Sequence, residues 1–320
     1  MNPIFRLFLL LIVATSLAAE GKAQTESDER ALIQVKDGIS ISKDTLFLLN
    51  LRFRMQNRFG LTSASGDDLT IGSVDARVRR IRLRLDGYVL SDRWRYYIQF
   101  NFSHADLDID ADGVAKPLRD AMVYFHLNDR LYFGFGQSKL PGNRQRVVSS
   151  GNIQFPERSI ANNAFTLDRD FGVFGYWTIP AGEQQFQVKG ALSSGDGRSA
   201  PAGNSGLGYT GRLEWLPMGA FVDNGDYSEG DLAMEPRPKL SIGASVHRND
   251  RAYRTGGQLG SRLYDARSFN TYIADWVLKY RGWALSGEVF DRQCEDPITT
   301  NAEGEVRFIR TGQGMNLQLS

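Results

Sequence analysis

The sequence predicts an all-β protein, a transmembrane antiparallel β-barrel, and three observations carry that prediction. Apolar and polar residues alternate with period two in one stretch after another, the pattern of strands with one dry and one wet face. An export leader opens the chain, yet no later stretch approaches the ~20 apolar residues of a spanning helix. Short turns alternate with long polar loops, as in an outer-membrane barrel whose turns lie on one side of the membrane and whose loops lie on the other.

Residues 1–23 read as a signal peptide: Arg6 precedes the apolar run LFLLLIVATSLAA, and cleavage after Ala23 puts the small Gly21 at −3. Residues 24–44 are expected to form an N-terminal periplasmic segment and 45–320 the barrel domain. In LNLRFRMQNRF (49–59), Leu49, Leu51, Phe53, Met55 and Phe59 share one parity, and Asn50, Arg52, Arg54, Gln56 and Arg58 the other. WRYYIQFNFS (94–103) opposes Trp94, Tyr96, Ile98, Phe100 and Phe102 to Arg95, Tyr97, Gln99, Asn101 and Ser103. Further copies lie at 120–127, 185–193 (Phe186 and Val188 against Gln187 and Lys189) and 209–215 (Tyr209, Leu213 and Trp215 against Thr210, Arg212 and Glu214). Weaker ones at 131–138, 170–177, 239–247, 271–280, 283–290 and 309–319 bring the expectation, with 77–89, to about twelve strands.

The expected turns fall near 91–93, 128–130, 180–183 and 281–282, and the long loops at 60–75, 104–117, 139–168, 194–206, 248–268 and 291–306. Residues 217–238, where a short turn belongs, are long and rich in Pro, Gly and acid, so an elaborated periplasmic hairpin is expected there. Trp94, Tyr132, Trp177, Trp215, Tyr280 and Trp283 stand near strand ends, where interfacial aromatic girdles form.

The stretch RVRRIRLRLDG (77–87) is the most basic of the strands. Arg80, Arg82, Arg84 and Asp86 point one way and Ile81, Leu83 and Leu85 the other, while Val78 breaks the parity, so a bulge is expected between Arg79 and Arg80 that turns both toward the polar side. An arginine facing lipid near mid-membrane costs roughly 2–4 kcal/mol, which assigns the polar side to the lumen. Arg52, Arg54, Arg95, Lys189 and Arg212 join the lumen by parity. Such a wall concentrates anions, and guanidinium forks match phosphate or carboxylate oxygens. A second reading stays open, in which the arginines oppose acidic residues and only organise a field across a general, non-selective porin.

Composition narrows the classes. Lys and Arg number 38 against 37 Asp and Glu, so there is no bulk basic field for nucleic acid. Mean hydropathy is mildly polar at −0.34, and the single Cys294 excludes an internal disulfide. Asp108, Asp110 and Asp112 imitate the first half of a calcium loop, but its twelfth position holds Arg119 in place of Glu, so a solvated acidic loop is expected and a metal site is the weaker reading. No cofactor is expected. His104, His126 and His247 are scattered, and no catalytic constellation stands out. The expectation is a channel, not an enzyme, with an outer-membrane barrel of enzymatic role as the alternative class.

ARVRRIRLRLDGYVLSDRWRYYIQFNF, DAMVYFHLNDRLYFGFGQSKLP and FPERSIANNAFTLDRDFGVFG together resemble the phosphate-selective porin O and P family. The most specific pieces are Gly136-Gln137 with Lys139 and Pro141, and Glu157-Arg158-Ser159 with Asn163, Ala164 and Phe165. The resemblance implies a sixteen-stranded, homotrimeric channel in the bacterial outer membrane, surrounded by lipid and passing small anions such as phosphate. It also implies that arginines line a constriction and that the third long loop folds into the pore. Here that loop is 139–168, carrying Lys139, Arg144, Arg146 and Arg158, and the family's paired arginines fall on Arg79 and Arg80. The chain departs from the pattern at GQGMNLQLS, which stops mid-alternation without a terminal aromatic, so the barrel is expected to lack its C-terminal strands.

Overall fold

The computed structural model describes residues 32–35, 38–68, 70–104, 107–109, 115–200 and 206–320; the expected signal peptide lies outside them. The fold is all-β, a transmembrane antiparallel barrel sheet. Its strands are β1 (Leu32–Val35), β2 (Ile39–Lys43), β3 (Phe47–Ser63), β4 (Ile71–Val89), β5 (Ser91–Asn101), β8 (Leu118–His126), β9 (Leu131–Lys139), β10 (Arg169–Ala181), β11 (Gln184–Ser193), β12 (Gly208–Leu216), β13 (Lys239–Arg254), β14 (Arg262–Tyr280), β15 (Trp283–Gln293) and β18 (Gly312–Leu319). These fourteen follow one another in chain order as antiparallel neighbours. Two small hairpins, β6 (Asp108–Ile109) with β7 (Ala115–Lys116) and β16 (Ile298–Thr300) with β17 (Val306–Phe308), decorate the loops. Among the described residues the first and last strands of the sheet, β1 and β18, are not paired with each other.

The twelve expected strands are all present, and two more precede them. Within the expected periplasmic segment, Ile39-Ser40-Ile41-Ser42 alternates and pairs with Leu51-Asn50-Leu49-Leu48 of β3 across a tight turn in which Asp44 adopts a positive φ of 46°. A five-residue strand is too short to stand out by period alone. Several strands also outrun their alternation. β3, β4, β13 and β14 have 17, 19, 16 and 19 residues, well beyond the ~9–11 that cross a membrane, so the loops expected at 60–75 and 248–268 are largely tall hairpins.

Parity holds along the walls. Phe53 and Met55 are 64% and 53% exposed on the lipid side, whereas Arg80 and Arg82 on the lumenal side are only 4% and 7% exposed. Trp94, Trp177, Trp215, Tyr280 and Trp283 are exposed near strand ends. Tyr132 is the exception. Phe133 and Phe135 take the outward positions of β9, so Tyr132 turns inward and stacks between His126 and Tyr176, each at 4.6 Å.

The 217–238 segment forms no strand hairpin. It carries 3-10 turns over Val222–Tyr227 and folds back against the lumenal side, because its buried carboxylates need partners there. Asp231 accepts from the Gly282 N–H at 2.7 Å, and Lys279 donates to the Gly225 and Gly230 carbonyls at 2.6 Å each.

The phase makes a stability prediction. Leu213→Arg places a guanidinium on the lipid side and is expected to cost roughly 2–4 kcal/mol, measured by denaturant unfolding from phospholipid vesicles. Unchanged stability would mean that β12 presents its other face to lipid.

Candidate functional site

Two backbone irregularities shape the lumen beside the first strands. In the β3–β4 ladder Gln56 pairs with Arg80 but Asn57 with Val78, which leaves Arg79 as the extra residue of a bulge at the expected place. In the β5–β8 ladder Gln99 pairs with Asp120 but Phe100 with Leu118, so Arg119 is the extra residue of a second bulge. A bulge lets two consecutive side chains face one side. Both here turn a second charged residue inward, and Arg119 and Asp120 are 7% and 2% exposed. Gln137 holds the second bulge by donating to the Arg119 carbonyl at 2.9 Å while accepting from the Ser199 N–H at 2.7 Å.

Two cavities adjoin this wall, of about 470 Å³ and 380 Å³. The first is lined by Arg52, Arg54, Arg82, Arg84, Lys139 and Arg169 with Asp120, and the second by Arg79, Arg80, Arg82, Arg119, Lys139, Arg146, Arg158 and Arg169 with Glu157. Arg82, Lys139 and Arg169 belong to both. Eleven different lysine and arginine side chains line the two cavities with two carboxylates, and two more carboxylates pair with them from behind the lining, Asp86 with Arg84 at 2.7 Å and Asp168 with Arg146 and Arg169. Arg84 lies 4.8 Å over the Tyr97 ring, and Arg169 forms a two-pronged pair with Asp120 at 2.9 and 3.0 Å.

The inner boundary of both cavities is loop 140–168, which carries two short helices, α1 (Arg144–Val147) and α2 (Ile160–Phe165). Its middle rests on the arginine wall. Arg54 and Arg82 both donate to Ser150 Oγ, at 2.7 and 2.9 Å, and Arg80 donates to the Pro156 carbonyl at 3.2 Å. Arg79 clasps Glu157 in a fork, Nε to Oε1 at 2.6 Å and Nη2 to Oε2 at 2.9 Å, and Arg58 adds a bond to Oε1 at 3.1 Å. These guanidinium bonds hold the Glu157 carboxyl below the usual glutamate range, the bond from Arg79 contributing most.

Internal bonds set the loop's shape. Lys139 donates to the Val147 carbonyl at 2.8 Å, and Arg158 to the carbonyls of Gln145 and Val148 at 2.7 and 2.9 Å. Burial pushes the Arg158 guanidinium down to about 9. Ser159 Oγ caps α2 by accepting from the Asn162 N–H at 3.0 Å, and Phe165 packs into the lumenal core with Phe290.

The loop's ends are fastened to the opposite wall. Arg212 reaches from β12 across Gly243 of β13 to Asp275 of β14, with bonds of 2.6 and 2.9 Å, and also donates to Glu214 at 2.5 Å and to the Gly142 carbonyl at 2.8 Å. Arg144 donates to Asp275 and to Ser241 Oγ at 2.8 Å each. Glu288 accepts from the Gln145 N–H at 2.6 Å. Lys189 pairs with Glu214 at 2.9 Å.

The structure thus brings Arg52, Arg54, Arg79, Arg80, Arg82, Arg84, Lys139 and Arg158 together around two cavities. It separates Arg144, Lys189 and Arg212, which are buried among carboxylates: Arg144 from the loop and Arg212 from β12 meet on Asp275 and pin the loop, whereas Lys189 pairs with Glu214. Arg95 lies apart as well, exposed near the start of β5 and bonded to the Asp92 carbonyl at 3.0 Å; the turn expected at 91–93 falls on Leu90, between β4 and β5. Arg146, expected on the third long loop, lines the smaller cavity, and Arg119 and Arg169 line the cavities without having been expected there; Arg119 follows from a parity break like that at Arg79, and Arg169 opens β10 opposite Lys139. Of the weak calcium candidates, Asp110 and Asp112 fall outside the described residues, as does the side chain of Asp108, and no cluster suited to a metal occurs among the described residues.

Residues 49–230 match the family described as phosphate-selective porin O and P. No curated protein matches. Among solved structures the chain is similar to a loop-deletion mutant of OmpT, an outer membrane protein of Vibrio cholerae, with 14% identity, a TM-score of 0.42 and coverage of 78% of this chain and 72% of that one. It is also similar to the outer membrane channel DcaP of Acinetobacter baumannii, with 12% identity, a TM-score of 0.40 and coverage of 85% and 73%.

Two predictions follow from the loop's fastenings. A Cβ at Gly243 would stand 2.4 Å from Arg212 Nη2 and 2.7 Å from Asp275 Oδ1. Gly243→Ala is therefore expected to cost about 1–3 kcal/mol by crowding a buried pair, read as a lower unfolding midpoint in detergent, while Gly60→Ala, whose added Cβ meets nothing nearer than 4.0 Å, should leave the midpoint nearly unchanged. The lowered Glu157 pKa means that its grip on Arg79 is complete above the unfolded-state value of roughly 4.3 and is lost as pH falls through the lower folded value. Protease protection of the segment around Glu157, between α1 and α2, should accordingly persist at neutral pH and weaken only in strong acid, while the loop's other fastenings hold.

Proposed function

The chain belongs to the phosphate-selective porin O and P family, and from that membership we propose that it forms a passive diffusion channel for small anions, phosphate among them. The observation that carries the reading is the lining of the two cavities, where eleven lysine and arginine side chains outnumber the two lining carboxylates and the two, Asp86 and Asp168, that pair with them from behind. Confined between low-dielectric walls, such an excess raises the local concentration of anions and repels cations. Guanidinium groups suit oxyanions in particular, because two N–H bonds of the planar fork match two oxygens of phosphate or carboxylate.

In this reading Arg52, Arg54, Arg82 and Arg84 draw anions through the larger cavity, and Arg79, Arg80, Arg119 and Arg158 receive them in the smaller one. Loop 140–168 narrows the path, and the far wall, charge-matched by Asp275 and Glu214, serves as its foundation. The family premise further supports outer-membrane residence with lipid against the outward faces, export by a cleaved leader, assembly as a homotrimer and a channel in place of an enzyme. A general, non-selective porin is the alternative, favoured by the carboxylates that pair with lining arginines, Asp86 with Arg84, Asp120 with Arg169 and Asp168 with Arg146.

Planar-bilayer recording of the full-length protein separates the two. In a potassium chloride gradient the reversal potential should report anion preference, and inorganic phosphate should reduce the chloride current. Replacing Arg80, Arg82 and Arg84 with Gln should lower the preference several-fold. Cation preference, or selectivity unmoved by the three substitutions, would overturn the anion reading.

A further inference from the structure

Glu157 stands where an incoming oxyanion would bind. Its two oxygens fill the Arg79 fork, at 2.6 and 2.9 Å, while Arg58 lies at 3.1 Å and Arg80 Nη2 at 3.6 Å. Three guanidinium groups thus converge on one carboxylate in the geometry that a phosphate or free carboxylate would take. The exposures are lopsided. The Arg79 and Arg80 side chains are 16% and 5% exposed, held in the wall, whereas Glu157 is 44% exposed and opens on the smaller cavity. Arg79 and Arg80 are held in the wall, Arg58 is 33% exposed and tied to Asp75 at 2.9 Å, and the acid that satisfies them is the most accessible of the set, so the acid is the part that can be exchanged.

Its place in the chain allows the exchange. Glu157 lies in the loop between α1 and α2, outside any strand or helix, and its neighbour Phe155 is 55% exposed. The loop keeps its other fastenings when this one opens, because Arg144, Gln145 and Gly142 are bonded to the far wall independently.

We propose that Glu157 is a built-in counter-anion, a substrate mimic tethered to the loop, which holds the arginine fork when the lumen is empty and is displaced by an oxyanion during passage. The proposal rests on the anion-channel reading and adds the residue that sets oxyanion affinity. An internal competitor keeps binding weak enough for release, which conduction needs as much as capture does. Chloride, a single atom that cannot present two oxygens to the fork, gains less from displacing it than phosphate does.

The test compares wild type, Glu157→Gln and Glu157→Asp in planar bilayers, with inorganic phosphate titrated against the chloride current. Glu157→Gln should lower the half-blocking phosphate concentration about tenfold or more, since phosphate no longer displaces a charge-assisted pair. Glu157→Asp keeps the charge but shortens the reach, and should shift the same way by a smaller factor. A shift in Gln with none in Asp would assign the effect to the general field and overturn the proposal, as would no shift in either.

A second measurement keeps Glu157 and the arginines and reads the loop itself. A spin label at Phe155, with Cys294→Ser removing the native thiol, should become more mobile as phosphate saturates the block. Block without mobilisation overturns the displaced counter-anion and leaves the anion channel standing. A wild-type channel that phosphate does not block and that prefers cations overturns both.

Discussion

Arg212 is the group on which the lumen depends. It starts on β12, passes over Gly243 where no side chain obstructs it, and ends on Asp275 of β14, with the Arg212 and Asp275 side chains 1% and 0% exposed. A buried charge is tolerable only when its hydrogen-bonding positions are filled. Glu214 and the Gly142 carbonyl complete the set, and the latter belongs to loop 140–168. The electrostatic requirement of one wall therefore draws the loop inward, and Arg144, joining the same Asp275, fixes how far it goes.

Once pinned there, the loop divides the lumen into two unlike parts. Behind it cations and carboxylates are matched, and segment 217–238 closes on the same region: Glu229 accepts from the Gln154 N–H at 2.6 Å and from Gln318 at 3.0 Å. In front of it the arginines of β3 and β4 meet serine hydroxyls, backbone carbonyls and Glu157. Neutral acceptors orient a guanidinium without cancelling its charge. The positive field survives on this side because the loop offers mostly dipoles to the arginines.

The two bulges are the backbone's contribution to that field. A regular strand faces the lumen with every second residue, and β4 and β8 each gain one more inward side chain by inserting a residue into the ladder. The family-specific residues attend to the same structure. Gln137 braces the Arg119 bulge, Lys139 and Arg158 hold α1 by its carbonyls, Ser159 caps α2, and Glu157 takes the bulged Arg79. They maintain the loop and the wall as one unit.

Alternation by itself determined twelve of the fourteen strands of the sheet, their lumenal and lipid faces, and the bulge at Arg79, because period two is imposed by the pleat of each strand alone and a lipid-facing arginine is too costly to leave the choice of side open. Tyr132 shows the limit of position near a turn, since its inward parity outweighed its place near a strand end. What Arg144, Lys189 and Arg212 touch was decided only in three dimensions. Parity assigns a side chain to the lumen but says nothing of what stands opposite it, and their partners lie on other strands or across a folded loop, up to 131 residues away between Arg144 and Asp275. Whether a lumenal arginine faces open space or a buried carboxylate is a property of that closure, which no single strand encodes.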